Sequence, residues 1–266
     1  MKGTILEKIV ETKRLRVEAA KRLVSAEALK DRAAAGRSGS PSHRLRDAIA
    51  DISRINIIAE YKKASPSKGI INDALEPAAA AEQYQAGGAA AISVLPEEHH
   101  FMGSLDDLIA IRAVANIPIL RKDFIFDPFQ VYEAAAAGAD AILLIAAMLS
   151  DSQLYELETL AEDEFGMDAL VEVHTVEEME RLHGRGAKLI GVNNRDLRSF
   201  DVSLDVSREL IAHAPSGSLL VAESGISSPA DISELRGLGY SGFLVGERLM
   251  RSGDLEAGLR RLNGKG

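Results

Sequence analysis

From Ile55 onward the chain alternates short apolar, β-branched runs with longer Ala-, Leu- and Glu-rich stretches. The runs are INIIAEYK, AAAISVL, IPILRKD, DAILLIA, DALVEVH, AKLIGVNN, SLLVAES and YSGFLVG. Between them, stretches such as 77–86, 128–137 and 176–183 have helical periodicity and predict helices. With strand ends near Glu60, Leu95, Lys122, Ile145, Glu172, Asn193, Glu223 and Gly246, the repeat averages roughly 27 residues, the span of a β/α unit. Strands separated by helices pair in parallel, and eight is the number that closes a barrel. A doubly wound sheet is the alternative, but it usually has fewer strands and one ligand crevice.

Polarity decides between the two. Nearly every run starts apolar and turns polar at its C-terminal end: Glu60/Lys62, Lys122, Glu172/His174, Asn193/Arg195 and Glu223/Ser224. In a barrel those ends converge on one mouth, where active sites are built, whereas a doubly wound sheet would scatter them along an edge. The expected fold is therefore α/β, a (β/α)8 TIM barrel with an N-terminal helical extension. Residues 1–54 form the extension and 55–266 the barrel, within one domain.

The period-2 alternation of strands refines the mouth. It puts Glu60 and Lys62 on one face with Tyr61 on the other, and groups Leu120 with Lys122, Glu172 with His174, and Asn193 with Arg195. Charged residues at the ends of five strands need mutual pairing or a ligand if they point inward.

Ahead of the repeat, Thr4 and Glu7 form a capping-box start for a helix whose stretch from Lys13 to Arg22 is basic. Glu11 and Glu18 interrupt those cations, which predicts a solvated face and not a docking patch. The Gly/Ser/Pro stretch from Gly36 to Ser42 reads as a flexible connection. The N-terminus lacks the apolar core of a signal peptide, and the longest apolar run, Ala141 to Leu149, is far short of the ~20 residues of a spanning helix. The expectation is a cytoplasmic protein with no membrane partner.

Composition narrows the chemistry. In 266 residues, 31 Lys+Arg stand against 40 Asp+Glu, a net charge of −9 that argues against nucleic-acid and anionic-membrane partners. Hydrophobic residues make up 46%, enough for a sizeable core. The absence of cysteine excludes disulfides, thiolate metal sites and a cysteine nucleophile.

Other patterns are weaker. Gly237, Gly239 and Gly242 spell G-x-G-x-x-G, but they close a helix and feed a strand, the reverse of a dinucleotide-binding turn. His99 and His100 beside Glu97 and Glu98 resemble a metal cluster, yet neighbours in sequence do not converge on one ion, so a solvated loop is expected. His174 reads as a hydrogen-bonded rim histidine.

The strings AEYKKASPSKG, FMGS, PILRKDFIFD, GADAILLIAAML, ALVEVH, IGVNNRDL, VAESGI and FLVGERLMR, in this order, resemble the indole-3-glycerol phosphate synthase family over nearly the whole chain. The resemblance implies ring closure of 1-(2-carboxyphenylamino)-1-deoxyribulose 5-phosphate, a small anionic sugar phosphate, with loss of carbon dioxide and water and without metal or cofactor. It implies a general acid at Lys122, a second lysine at Lys62 beside Glu60, a base-like glutamate at Glu172, and further catalytic positions at Asn193 and Glu223. Asn193 and Arg195 match the residues that hold the sugar hydroxyls and the substrate carboxylate. Ser65 and Ser224 match substrate anchors, and Phe101 and Phe124 the aromatics around the anthranilate ring. The phosphate is expected at Gly225, Gly246 and Glu247, after strands seven and eight.

Crowded cations on the rim are expected to depress a lysine pKa toward neutrality. We assign Lys122 to ring closure and Lys62 to dehydration, with Glu60 or Glu172 as base. Pro96, His100, Glu247 and Arg248 depart from the family pattern and bear on substrate affinity. Phosphoribosylanthranilate isomerase would share the phosphate site but has no need of the SPSKG loop, two rim lysines and NNRDL together. A catalytically dead relative retained for binding would not need Lys62, Lys122, Glu172 and Asn193 intact.

Overall fold

The computed structural model describes residues 5–197 and 199–264; Thr4, half of the expected capping box, lies outside them. Eight parallel strands close into a barrel. They are β1 (Ile57–Tyr61), β2 (Ala91–Val94), β3 (Ile119–Arg121), β4 (Ala141–Ile145), β5 (Asp168–Val173), β6 (Leu189–Asn193), β7 (Leu219–Glu223) and β8 (Gly242–Val245). Each observed end lies within one residue of the expected one.

Three helices precede the barrel: α1 (Ile5–Leu23), α2 (Ala26–Arg37) and α3 (Arg44–Ala50). The rest are α4 (Pro77–Ala86), α5 (Leu105–Val114), α6 (Pro128–Ala136), α7 (Asp151–Thr159), α8 (Val176–Glu180), α9 (Asp205–Leu210), α10 (Pro229–Leu238), α11 (Glu247–Met250) and α12 (Leu255–Leu262). Ser104, Ser150 and Ser228 each close a capping box on the third residue of their helix. Gly239 ends α10 at φ 120° and Gly242 opens β8, so GLGYSG is a helix-to-strand turn, as its order implied.

Strand alternation sorts the core into two layers. Ile58, Ala91, Leu120, Leu143, Leu170, Leu189, Val221 and Leu244 fill the barrel, plugged at its N-terminal end by Leu45 and Ile49 of α3. Ile57, Ala59, Tyr61, Ile92, Val94 and Ile119 face the helices in a larger layer. The barrel interior is thus apolar below and charged above, which confines the chemistry to the mouth.

One expectation about the extension is corrected in part. The basic stretch of α1 is docked through Lys13, Arg16 and Lys21 while Arg14 and Arg22 stay exposed: Lys13 is 2% exposed and meets Asp123 at 3.1 Å and Glu98 at 3.0 Å. Lys21 reaches Asp127 at 2.6 Å. The interleaved glutamates disguised a helix whose cations match acidic positions on its own barrel. Arg37, the last residue of α2, donates to the carbonyls of Phe165 and Ala139 and pairs with buried Asp140, which fastens the end of that helix, while residues 38–42 beyond it are exposed. Among the described residues, no helix is long and apolar enough to cross a membrane.

Candidate active site

The inner faces of β1, β3, β5, β6 and β7 bring Glu60, Lys62, Lys122, Glu172, Asn193, Arg195 and Glu223 to one cavity of about 680 Å³ at the C-terminal mouth. The Lys122 ammonium stands between two carboxylates, 3.1 Å from Glu172 Oε2 and 3.1 Å from Glu223 Oε2. Lys62 pairs with Glu60 on the opposite wall. Tyr61, between them, turns outward and donates its hydroxyl to Leu75 O at 2.7 Å. Lys63 also leaves the mouth, for Asp107 at 2.9 Å.

Glycines make room for these acids. A Cβ at Gly191 would collide with Glu223 Oε1, and one at Gly246 with Glu60 Oε1. The backbone of Glu60 is fixed from outside, because buried Tyr84 donates its hydroxyl to the Glu60 carbonyl at 3.0 Å.

The electrostatics differ from the sequence expectation. Burial alone would lower the Lys122 pKa, but Glu172, Glu223 and Glu60 outweigh it and hold the ammonium above its ordinary range. The lysines are partnered, not crowded, so the expected depression does not occur at Lys122. Glu172 is buried, which favours its neutral form, yet Lys122 and His174 keep it ionised. Glu223 is driven the other way, above the usual carboxylate range, by burial and then by the Glu172 charge against the pull of Lys122. One carboxylate of the pair is charged and its neighbour tends to neutrality.

His174 does not line the cavity; it stands behind Glu172, 3.3 Å from Oε1, with Glu178 3.5 Å from its other ring nitrogen. Burial lowers its pKa, but those two acids raise it to about 10. It is a charged support for Glu172.

Phe101 and Phe124 line the mouth with ring centroids 6.3 Å apart. The loop presenting Phe101 is built around buried Glu97, which accepts backbone N–H bonds from His99, His100 and Phe101 at 3.2, 2.6 and 3.0 Å. The segment is the expected loop, with His99 exposed, but Glu97 is buried beneath it. No ion is needed to explain this His/Glu cluster, because the carboxylate serves the backbone.

Ser224 and Gly225 both take left-handed backbone, φ 63° and 80°, and line the cavity with Gly246 and Glu247. Asn194, which alternation turns away from the mouth, donates to Glu223 O and Ser224 O at 3.0 and 3.2 Å and fastens this turn. The Glu247 side chain turns to Arg251, 3.2 Å away. Arg195 donates to Phe200 O at 3.1 Å while it lines the cavity.

Ser65 is the exception among the expected positions. It stands in the short ladder Ala64–Ser65/Gly69–Ile70, and its neighbours Pro66, Ser67 and Lys68 line the cavity instead. The sequence reading also missed Ile5, Leu6 and Ile9 of α1, together with Lys68, Asp123 and Arg251, all on the cavity wall. Ile5, Leu6 and Ile9 share one face of α1 by helical spacing, but nothing in the chain order says what that face covers.

Comparison with known proteins agrees with this architecture. The family model described as indole-3-glycerol phosphate synthase matches residues 6–262. A curated relative of that name from Carboxydothermus hydrogenoformans is 46% identical over 260 residues, covering 94% of this chain and 96% of its own. Another, from Rhizorhabdus wittichii, is 53% identical over 206 residues, 77% of this chain and 78% of its own. Among solved structures, 3-hexulose-6-phosphate synthase from Salmonella typhimurium shares the fold at TM-score 0.63 and 13% identity, covering 79% of this chain and 98% of its own. The chain belongs to the indole-3-glycerol phosphate synthase family.

Proposed function

We propose that the charged mouth of this barrel carries out the family's reaction on 1-(2-carboxyphenylamino)-1-deoxyribulose 5-phosphate, with Lys122, Lys62 and Glu172 in the central roles. As a member of the family the chain is a carboxy-lyase of tryptophan biosynthesis. The observation that carries the residue assignment is Lys122 held between Glu172 and Glu223, facing Lys62 and Glu60 across one cavity.

Ring closure requires the arene carbon that bears the carboxylate to attack the ketone carbon, and negative charge gathers on the ketone oxygen. Lys122, firmly cationic, stabilises that oxygen and supplies its proton. Carbon dioxide then leaves and restores the aromatic ring. Dehydration follows: the new hydroxyl departs as water while a proton leaves the neighbouring carbon. That step needs an acid and a base on opposite sides of the new ring. Lys62 follows β1, and Glu172 is on β5, four strands around the barrel. Glu60 shares the wall of Lys62, so Glu172 is the base we assign.

Phe101, Phe124 and the α1 residues give the anthranilate ring an apolar berth, with Asn193 and Arg195 for the hydroxyls and the carboxylate. Phosphate fits the turn at Ser224–Gly225 and the backbone N–H groups at Gly246–Glu247, with Lys68, Arg248 and Arg251 as nearby cations. Incubation of the purified protein with the carboxyphenylamino substrate should raise indole fluorescence. No signal at high enzyme concentration would refute the reading.

A further inference from the structure

Lys13 and Arg16 belong to a closed ring of alternating charges beside the mouth. Lys13 meets Asp123 at 3.1 Å; Asp123 meets Arg121 at 2.8 Å; Arg121 meets Glu133 at 3.2 Å. Arg16 then reaches Glu133 at 2.7 Å and Glu98 at 3.3 Å, and Glu98 returns to Lys13 at 3.0 Å. Three cations and three anions close on themselves with no net charge. A ring this complete needs no ligand to balance it, so it is a fastening.

What it fastens is specific. Asp123 follows Lys122 directly and accepts the Phe124 N–H at 2.9 Å. Glu98 adjoins Glu97, whose carboxylate holds the Phe101 loop. One to two turns before Lys13 on the same helix, Ile5, Leu6 and Ile9 line the cavity. The ring therefore joins α1 to both segments that carry the aromatic pair. Asp123, although buried, is held near pKa 2 by Arg121 and Lys13, so the pairing stays ionised across the working range.

We propose that Lys13 and Arg16 are positioning residues for the aromatic half of the substrate: through this ring they seat α1 against the Phe101 and Phe124 segments and complete the berth for the anthranilate ring. The proposal rests on the proposed function and concerns affinity for the aromatic group, with the chemistry at Lys122 left in place.

The test measures KM and kcat for Lys13→Met, Arg16→Gln, Arg16→Lys and, outside the ring, Lys21→Ala. Loss of a ring member should raise KM about tenfold or more while kcat stays within about threefold, the pattern of lost binding common to ground and transition states. Arg16→Lys should restore KM, and Lys21→Ala should leave both constants unchanged. If Lys13→Met does not fold, Arg16→Gln decides, since Arg16 is about a quarter exposed and tolerates change. An unchanged KM in a folded ring variant would overturn the proposal, as would a fall in kcat at constant KM, the mark of a smaller active fraction. Absence of turnover in the unmodified protein would instead remove the functional reading itself.

Discussion

The two acids beside Lys122 are chemically alike but placed differently, and the difference predicts how each tolerates loss of charge. Glu172 has His174 behind it and Lys122 in front, and both favour its ionised form. Glu223 shares Lys122 with an already charged neighbour and is forced toward its neutral form. A glutamine imitates a neutral acid. Glu223→Gln should therefore keep at least about a tenth of kcat, while Glu172→Gln should lose on the order of 10²-fold or more, as removal of a general base does. Steady-state rates on both variants check this, and the reverse order would remove the base assignment. Gly246 makes a second residue-scale prediction. Because a Cβ there meets the Glu60 carboxylate, Gly246→Ala should displace that group and lower kcat about tenfold with little change in thermal midpoint. Unchanged kcat would show that the Glu60 position is not critical. Alternation alone put Glu60, Lys62, Lys122 and Glu172 on the inner face correctly. The pKa directions were beyond its reach, since they depend on which side chains meet across the barrel.

At the scale of elements, strand ends and most helices were legible because apolar runs, proline starts and serine caps are local signals. The docking of α1 was not legible. Its partners Glu98, Asp123 and Glu133 are 85 to 117 residues away, and a basic helix with interspersed glutamates looks the same whether it faces water or an acidic wall. The SPSKG motif likewise located a loop, but not which of its residues turn to the cavity, where Pro66, Ser67 and Lys68 are found. That loop, held by a ladder of two residue pairs, should gain hydrogen-exchange protection at residues 65–69 when substrate binds. Equal protection with and without ligand would contradict a closing role. His174 braces the end of β5, and its pKa of about 10 exceeds the unfolded value of 6.5. Its contribution to stability is thus fully present below about pH 6.5 and lost as pH rises through 10. Urea unfolding of His174→Gln should show a deficit of roughly 3 kcal/mol near pH 6 that disappears above pH 10. A deficit independent of pH would mean that packing, not charge, is what His174 supplies.

For the molecule as a whole, the net charge of −9 conceals a sorted distribution. Lys13, Arg16 and Lys21 of α1 pair with acids of the barrel, and Asp140 gathers Arg37, Arg44 and Arg112 at its opposite end. Lys62, Lys68, Lys122, Arg195, Arg248 and Arg251 line the mouth, where a substrate with a phosphate and a carboxylate must enter. Six acids, Glu60, Asp123, Glu172, Asp201, Glu223 and Glu247, line the same cavity, so its cations meet anionic groups locally and the mouth as a whole is mixed in charge. The central claim is that Lys122, fixed between Glu172 and Glu223, drives ring closure. The most direct measurement is single-turnover indole fluorescence with the carboxyphenylamino substrate, comparing the unmodified protein with Lys122→Met. The account predicts rapid product formation in the first and none above background in the second, with indole-3-glycerol phosphate still bound by both. Turnover by Lys122→Met at an undiminished rate would contradict it.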